Sequence, residues 1–154
     1  QKLFFDKIEI YYDDTTLIAQ SANFEFFTKL INGRFPDYNR VIPQEIKRRL
    51  RLSRDKMVEG IKTVSIISES TKIVFAPQTI SFESIVEDNS EAKTTIEFAT
   101  GLEEEIYVGV KNRYLLDFLQ SIEEEHFEFG FNDSNLAFTV SSNELKTVIM
   151  PINL

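Results

Sequence analysis

The chain of 154 residues is long enough for one full domain and part of another, but too short for two complete domains of usual size. With 42% hydrophobic and 27% charged residues, five glycines and four prolines, it has the composition of a globular protein, which excludes collagen-like and disordered chains. The formal net charge of −8 argues against a protein whose whole surface binds nucleic acid, while allowing a local basic face.

The chain contains no cysteine, which excludes disulfides, thiolate zinc sites and a cysteine nucleophile, and fits an intracellular reducing compartment. The longest segments without Asp, Glu, Lys or Arg span ten residues, about half of the ~20 that a membrane-spanning helix needs. The N-terminus reads Gln1-Lys2-Leu3, with neither an initiator Met nor a long apolar leader. We therefore expect a piece of a longer gene product.

Alternation of apolar and polar residues predicts β-strands over much of the chain. The clearest alternating segments are residues 8–10, 24–26, 106–108 and 127–129. Between strands, the polar pairs Asp13-Asp14 and Asn132-Asp133 are typical of hairpin turns, because Asn and Asp tolerate tight backbone geometry and bond their own main chain. The chain is therefore expected to fold into hairpins of half-buried strands.

Two segments follow helical rather than strand spacing. In residues 53–67 the pattern begins at Ser53, a predicted N-cap, and in residues 112–122 it begins at Asn112, also predicted to be a cap. The apolar stripe of the first helix is Met57, Ile61 and Val64, and that of the second is Leu115, Phe118, Leu119 and Ile122. The sequence thus predicts two helices among about eight to ten strands.

The sequence also carries a candidate internal repeat. A shift of 119 positions lays residues 8–17 over residues 127–136, and the register continues without a gap as far as Thr28 and Thr147. This predicts the same hairpin and closing strand twice, unless the likeness is only that of any two amphipathic hairpins. If the repeat is real, residues 1–36 end one domain and residues 37–154 form a complete second copy.

The segment between the two copies is predicted to be a stiff connector. Pro36 and Pro43 hold the residues before them extended, and Gly33 allows a turn. Such a segment fixes the angle between domains better than a flexible linker would.

Three segments resemble one known family. Residues 33–38 (Gly-Arg-Phe-Pro-Asp-Tyr) and 40–43 (Arg-Val-Ile-Pro) resemble the domain-joining segment of the bacterial DNA polymerase III β subunits, the sliding clamps. Residues 148–154 resemble the family's apolar ending, with Met-Pro and a final Leu, and residues 114–119 resemble the second helix of its third domain. The resemblance spans essentially the whole chain.

The resemblance implies an α+β fold of the DNA-clamp type, with two helices packed on two antiparallel sheets and preceded by the last strands of a second copy. Residues 1–36 would be the C-terminal remnant of the second clamp domain with the connector, and residues 37–154 the complete third domain. In the family, two subunits join head to tail in a closed ring around duplex DNA.

The function implied by the resemblance is that of a processivity factor. Such a protein encircles DNA without sequence preference and tethers the DNA polymerase III catalytic subunit, the clamp loader and other proteins through a peptide-binding cleft. The resemblance also implies a homodimer in the full-length protein, a cytoplasmic, nucleoid-associated location, and no membrane partner, cofactor, metal or catalysis. The residues themselves leave open a free-standing intracellular peptide-binding α+β module.

The C-terminal residues 148–154 are apolar apart from Asn153, and Pro151 cannot donate a hydrogen bond within a β-ladder. By pattern alone they form a last core strand or the wall of a groove. The resemblance favours the groove, and implies one wall of a peptide cleft made of Pro36, Arg40, Val41, Tyr114, Val148, Ile149, Met150, Pro151, Ile152 and Leu154. The flexible thioether of Met150 suits a site shared by different ligands. The other wall is expected from second-domain residues outside this chain.

Ile66 and Ile67 are adjacent β-branched residues at the end of the first predicted helix, and they cannot both face one core. Either both pack between the helix and the following loop, or one is exposed. The resemblance implies that they belong to the joint between subunits. A strand edge made of Thr94, Thr95, Ile96 and Phe98 is expected alongside them.

Eight of the 17 basic residues lie between residues 40 and 62, so positive charge is segregated on an otherwise acidic chain. An ordinary solvated loop and helix face would have the same pattern. The resemblance implies loose contact with DNA phosphates and no reading of bases, since a ring that slides must not bind tightly. The residues expected to face DNA are Arg51, Arg54, Lys62, Lys111 and Arg113.

Evidence for an enzyme is weak. His126, the only histidine, stands beside Glu125 without a Gly-x-Ser-x-Gly elbow elsewhere, which argues against a Ser-His-acid triad. The glutamate runs 103–105 and 123–125 are candidates for the carboxylate pair of a hydrolase, but successive charges are typical of solvated surface. Neither acidic turn has the spacing of a calcium loop.

Overall fold

The computed structural model describes residues 7–33, 37–85, 91–143 and 145–154. The chain divides into two compact units, Gln1–Asp37 and Tyr38–Leu154. Within the described ranges, no helix is long and apolar enough to cross a membrane.

The first unit is a three-stranded antiparallel sheet. Its strands are β1 (Glu9–Tyr12), β2 (Thr16–Ser21) and β3 (Phe24–Lys29), in the order β1-β2-β3. Asp13 closes the first turn, because its Oδ1 accepts hydrogen bonds from the backbone N–H groups of Thr15 and Thr16, each at 2.7 Å. These bonds, that of Thr15 foremost, lower the pKa of Asp13. The turn predicted from Asp13-Asp14 is therefore present.

The second unit is an α+β domain of two helices and two four-stranded antiparallel sheets. Its elements in chain order are a 3-10 helix (Tyr38–Arg40), β4 (Arg48–Ser53), α1 (Arg54–Ser65), β5 (Ser70–Phe75), β6 (Thr79–Ser84), β7 (Lys93–Glu97), β8 (Ile106–Lys111), α2 (Asn112–Ser121), β9 (His126–Phe131), β10 (Phe138–Ser142) and β11 (Leu145–Ile149). The sheet orders are β11-β10-β9-β4 and β7-β6-β5-β8. The predicted fold class is confirmed, although the described residues hold eleven strands.

One hydrophobic core joins both sheets and both helices of this unit. The predicted stripes are buried as expected, with Met57, Ile61 and Val64 on α1 and Leu115, Phe118 and Leu119 on α2. Between the sheets, the ring of Phe129 lies 4.8 Å from that of Phe138 and 5.1 Å from that of Phe75, measured between centroids. Because Phe75 belongs to β5 and the other two to β9 and β10, aromatic contact ties one sheet to the other.

The helix caps differ from the prediction. Ser53 occupies the N-cap position of α1, but its side chain makes no capping hydrogen bond, and the N-cap residue of α2 is Lys111. The Asn112 side chain is instead buried, where it accepts a hydrogen bond from Thr71 Oγ1 at 2.6 Å and donates one to the Ser68 carbonyl at 2.8 Å. The prediction of Asn112 as a cap is therefore wrong. This side chain fastens the start of α2 to β5 and to the loop after α1.

The internal repeat exists as strand order, but not as an ungapped register. The succession β1-β2-β3 and the succession β9-β10-β11 are both antiparallel meanders. Glu9 pairs with Gln20, whereas Glu128, 119 positions after Glu9, pairs with Ser141, 121 positions after Gln20. The prediction of a gapless register is wrong because the β9–β10 turn holds two additional residues, and a turn can absorb them without disturbing either ladder.

Candidate functional site

The C-terminal residues 150–154 cross from one sheet to the other. Strand β11, an edge strand, ends at Ile149, and Ile152 then donates its N–H to the carbonyl of Gly109 on β8, the edge strand of the second sheet, at 2.8 Å. Pro151 has no N–H, so the ladder cannot run on without a break. We call residues 150–154 the tail. The tail is neither a core strand nor a free end. It leaves the first sheet after Ile149 and is bonded to the second sheet at Ile152.

A first apolar groove, the connector groove, lies beside the segment that leads into β4. It has a volume of about 590 Å³ and is lined by Arg40, Val41, Ile42, Pro43, Gln44, Glu45, Lys47, Asn132, Leu136, Ala137 and Met150. Asn132 fixes the lining, since its Oδ1 accepts from the N–H of Lys47 at 2.7 Å and its Nδ2 donates to the carbonyl of Glu45 at 2.8 Å. Asn132 thus fastens the segment before β4 to the β9–β10 turn.

A second groove, the helix groove, lies between α2 and β11. It has a volume of about 630 Å³ and is lined by Tyr114, Asp117, Phe118, Ser121, Leu145, Thr147, Val148, Ile149 and Met150. The four helix residues fall at i, i+3, i+4 and i+7, which is one face of α2. Met150, 61% exposed, lines both grooves, so the two grooves meet at this side chain.

The structure brings together six of the predicted cleft residues. Arg40 and Val41 line the connector groove with Met150, and Tyr114, Val148 and Ile149 line the helix groove with it. Pro151, Ile152 and Leu154 line neither groove, because the hydrogen bond to Gly109 draws the tail onto β8. Pro36 lies outside the described residues.

Sequence reasoning missed Asn132 and Phe118 as groove residues. The sequence predicts Asn132 only as a turn residue, because its contacts with residues more than 80 positions away leave no local signal. The sequence predicts Phe118 as part of the core stripe, where it does lie, but its position four residues after Tyr114 also indicates that the two are neighbours on one helix face.

The residues predicted for the subunit joint lie at one end of α1 and along β7. Ile66 is 83% exposed and Ile67 is also exposed, and both follow the end of the helix at Ser65. Strand β7 is an edge strand that, within the described residues, pairs only with β6. Thr94, Thr95 and Ile96 lie on this strand, and Ile96 packs partly against the core together with Phe98, which comes after the strand. An exposed apolar end and an unpaired strand edge therefore belong to the same unit.

The basic residues do not all share one surface. Lys111 and Arg113 line a groove of about 540 Å³ with Ser65 at the end of α1, and Lys62 is exposed one turn earlier on that helix. Arg51 lies on β4, where alternation turns it away from the core between the buried Leu50 and Leu52. The structure thus separates Arg51 from the three helix-end residues.

Arg54 is committed to a contact within the domain. Its Nε donates to the carbonyl of Leu119 at 2.8 Å, and its Nη1 lies 2.9 Å from Asp55 Oδ1. The guanidinium therefore ties the start of α1 to α2.

A cavity of about 610 Å³ is lined by His126 together with Arg49, Arg51, Glu124 and Glu128, among other residues. A general acid needs a raised pKa, but hydrogen bonds from its own backbone N–H and from the Ser142 hydroxyl lower the pKa of Glu124. Arg49 pairs with Glu128. The described residues contain no cluster of three or more metal-ligating side chains. This cavity therefore offers no support for the hydrolase alternative.

Comparison with solved structures defines the class of fold. The Helicobacter pylori beta clamp bound to a DNA ligase peptide matches with a TM-score of 0.82 at 28% identity, over 99% of this chain and 42% of that one. The DNA polymerase III beta subunit of Thermotoga maritima matches with a TM-score of 0.72 at 27% identity, over 96% of this chain and 42% of that one. Two helices on two antiparallel sheets, preceded in the chain by a further meander, are thus a DNA-clamp architecture.

Sequence comparison gives the family. The family model for the C-terminal domain of the DNA polymerase III beta subunit matches residues 39–153, so the chain belongs to this family. The beta sliding clamp of Helicobacter pylori strain J99 is 29% identical over 166 aligned positions, which cover 99% of this chain and 44% of the relative. The chain therefore spans under half of the length of that relative.

Proposed function

We propose that the chain is the partner-binding part of a sliding clamp, a non-catalytic processivity factor of the replicative DNA polymerase. In this proposal the full-length protein encircles duplex DNA as a head-to-tail dimer ring in the bacterial cytoplasm. It tethers the DNA polymerase III catalytic subunit, the clamp loader and other partners by their short peptide segments, which raises their effective concentration at the DNA. Membership of the family favours this function over a free-standing peptide-binding module.

The domain assignment rests on two boundaries. The contact division falls after Asp37, and the family model for the C-terminal domain begins at residue 39. We infer that residues 1–36 end the second clamp domain and that residues 37–154 are the third. The second wall of the cleft then comes from second-domain residues that this chain does not contain.

The observation that carries the proposal is the position of Met150 at the meeting point of the connector and helix grooves. A peptide that crosses Met150 can place one apolar side chain in each groove, which buries area at two points and fixes its direction. The Met150 thioether is unbranched and polarizable, so it can repack around partners of different sequence. The solved structure of the Helicobacter pylori beta clamp has a DNA ligase peptide bound.

We propose that Lys62, Lys111 and Arg113 face DNA, since they lie at one end of the helix pair. Arg51 and Arg54 are left out of this surface because of their positions on the outer face of β4 and in the contact between α1 and α2. The net charge of −8 repels DNA from the remaining surface. Contact through a few phosphates suits a ring that slides.

We propose Ile66 and Ile67, with the edge of β7 nearby, as part of the subunit joint. The test is the double substitution Ile66→Asp and Ile67→Asp in the full-length protein, followed by sedimentation at about micromolar concentration. Two buried carboxylates would be costly at an apolar joint, so the variant should sediment as a monomer. A variant that remains dimeric contradicts the assignment.

The central test is a titration of the full-length protein with the DNA ligase peptide seen on the Helicobacter pylori clamp. We expect binding that disappears when the last five residues, including Met150, are deleted. The chain of 154 residues alone should bind much more weakly, because it lacks the second wall. Failure of the full-length protein to bind would remove the proposed function, and equal affinity of the short chain would contradict the division of the walls.

A further inference from the structure

We propose that Gly109, on the opposite sheet from β11, is a positioning residue for the cleft: it holds the tail so that Met150 stays between the connector and helix grooves. This inference rests on the proposed function, because it concerns the site that receives partner peptides. Gly109 lines neither groove, so its effect must act through the tail.

The geometry at Gly109 leaves no room for a side chain. A Cβ there would lie 2.7 Å from the carbonyl oxygen of Ile152, 3.1 Å from Leu154 Cγ and 3.2 Å from Leu154 Cδ2. These three nearest atoms all belong to the tail. The φ angle of Gly109 is one that other residues adopt readily, so the crowding tail, not the backbone of β8, is what requires glycine.

The crowding atom cannot move by itself. It is a backbone carbonyl oxygen, and the same residue donates its N–H to the carbonyl of Gly109 at 2.8 Å. A side chain at position 109 would therefore push away the residue that is bonded to position 109. The hydrogen bond from Ile152 and the close approach of the tail to Gly109 together hold Ile152 against β8.

The contact between Gly109 and Ile152 controls the position of Met150 because the chain between the two fixed residues, Ile149 and Ile152, is short. Ile149 is held in β11 by its pairing with Phe138, and Ile152 is held by Gly109. Only Met150 and Pro151 lie between them, and the pyrrolidine ring fixes φ at Pro151. Displacement of Ile152 therefore reaches Met150 with little slack to absorb it.

The test compares Gly109→Ala with Ser81→Ala in the full-length protein. Ser81 is the control, since it lies on β6 in the same sheet as Gly109 and lines neither groove. The probe is a fluorescent form of the DNA ligase peptide from the Helicobacter pylori complex. If the docked tail is populated about a tenth of the time in Gly109→Ala, the apparent Kd rises about tenfold, while Ser81→Ala leaves it unchanged.

Hydrogen exchange separates positioning from a general loss of stability. The Ile152 amide should exchange faster in Gly109→Ala, while amides of β5 and β6 keep the protection of the unsubstituted protein. If Gly109→Ala fails to fold, Ile152→Pro removes the tail's N–H donor, leaves β8 intact and should weaken peptide binding to a similar degree.

Unchanged peptide affinity in a folded Gly109→Ala or Ile152→Pro variant would overturn the inference, whatever the exchange rates. A loss of affinity accompanied by loss of protection throughout β5 and β6 would overturn it as well, because the effect would then be global. These failures differ from failure of the proposed function, in which the unsubstituted protein does not bind the peptide.

Discussion

The meander of β1, β2 and β3 and the meander of β9, β10 and β11 share a strand order but differ in burial. On β9, Phe127, Phe129 and Phe131 are all buried. On β3, the aromatic residues are Phe24, Phe26 and Phe27, and all three are exposed, Phe27 to 70%. The same class of residue therefore makes a core in one meander and an open apolar surface in the other.

The difference shows that alternating apolar and polar residues predict a strand. They do not predict which other element covers its apolar face. The apolar side of β9 is covered by residues far away in sequence, such as Phe75 on β5 and Phe118 on α2. Within the described part of the first unit, Ala19 is the only buried apolar residue. A meander supplies half of a hydrophobic core, and its contribution to stability depends on the other half.

The largest expected effect comes from removing a buried ring of the second meander, compared with removing an exposed ring of the first. Phe129→Ala removes a ring packed against Phe75, Phe131 and Phe138, so it should cost about 3–5 kcal/mol of unfolding free energy. Phe27→Ala in the same chain should cost less than about 0.5 kcal/mol, since that ring is already in water. Urea unfolding of both variants measures the difference, and equal costs would contradict it.

Measuring Phe129→Ala and Phe27→Ala in the full-length protein tests whether the first meander is covered there. If further second-domain residues cover the first meander there, Phe27→Ala becomes several-fold more costly than in the short chain. An unchanged small cost would argue against the assignment of residues 1–36 to a larger domain.

Glycine substitutions give the next largest effect. A Cβ at Gly60 on α1 would lie 2.6 Å from Phe82 Cδ2, and that ring is fully buried and cannot swing into solvent. Overpacking of about 3 kcal/mol should outweigh the gain of about 1 kcal/mol that alanine brings to a helix. In the first unit, Gly33→Ala meets open space and should be neutral or slightly stabilising. Thermal unfolding of the two variants checks the opposite signs.

Buried polar groups are a further difference between the two units, and removing one should have a smaller effect on stability. Asn112→Ala would leave the Thr71 hydroxyl and the Ser68 carbonyl without their buried partner, at a cost of about 1–2 kcal/mol. The matched variant Thr71→Val removes the hydroxyl that donates to Asn112. Because the two residues share a bond, the double variant should cost less than the sum of the single ones in urea unfolding. Additive costs would mean that the network is not coupled.

Much of the second unit could be predicted because its signals are local. The spacing of Met57, Ile61 and Val64 predicts α1, and the alternation at residues 127–129 predicts β9. The buried role of Asn112 could not be predicted, since its side-chain partners lie more than 40 positions away while its place before a helix is typical of a cap. A local pattern shows where a helix starts, and only the fold shows where its first side chain points.

The candidate site likewise has residues that could be predicted from the sequence and contacts that could not. Tyr114, Val148 and Met150 could be proposed from the resemblance of two short segments, and the structure places them on one groove. The crossing of the tail to Gly109 could not be foreseen, because nothing near residue 109 announces a partner 43 positions later. The resemblance predicts Ile152 and Leu154 as part of the cleft wall, and the structure adds that both residues lie close to Gly109 on β8.

The smallest expected effect concerns acid stability. Glu83 on β6 lies between Lys72 Nζ at 3.3 Å and Lys93 Nζ at 2.6 Å. The hydrogen bond from Lys93 is the main cause that lowers the pKa of Glu83 below its ordinary value of 4.5, and Lys72 adds to it. Because the folded-state pKa is lowered, this stabilisation is present above pH 4.5 and is lost as the pH falls through the folded value.

Glu83→Gln should therefore lower the stability of the second unit at neutral pH and make its stability below pH 4.5 less dependent on pH. The measurement is acid unfolding followed through the backbone amides of β5 and β6. In the first unit, Asp13 has its own lowered pKa from the Thr15 and Thr16 bonds, so Asp13→Asn should change the acid response of β1 and β2 and not that of β5 and β6. If either substitution moved both sets of amides equally, the two units would be unfolding as one, and the contrast between an open meander and a covered one would lose its thermodynamic basis.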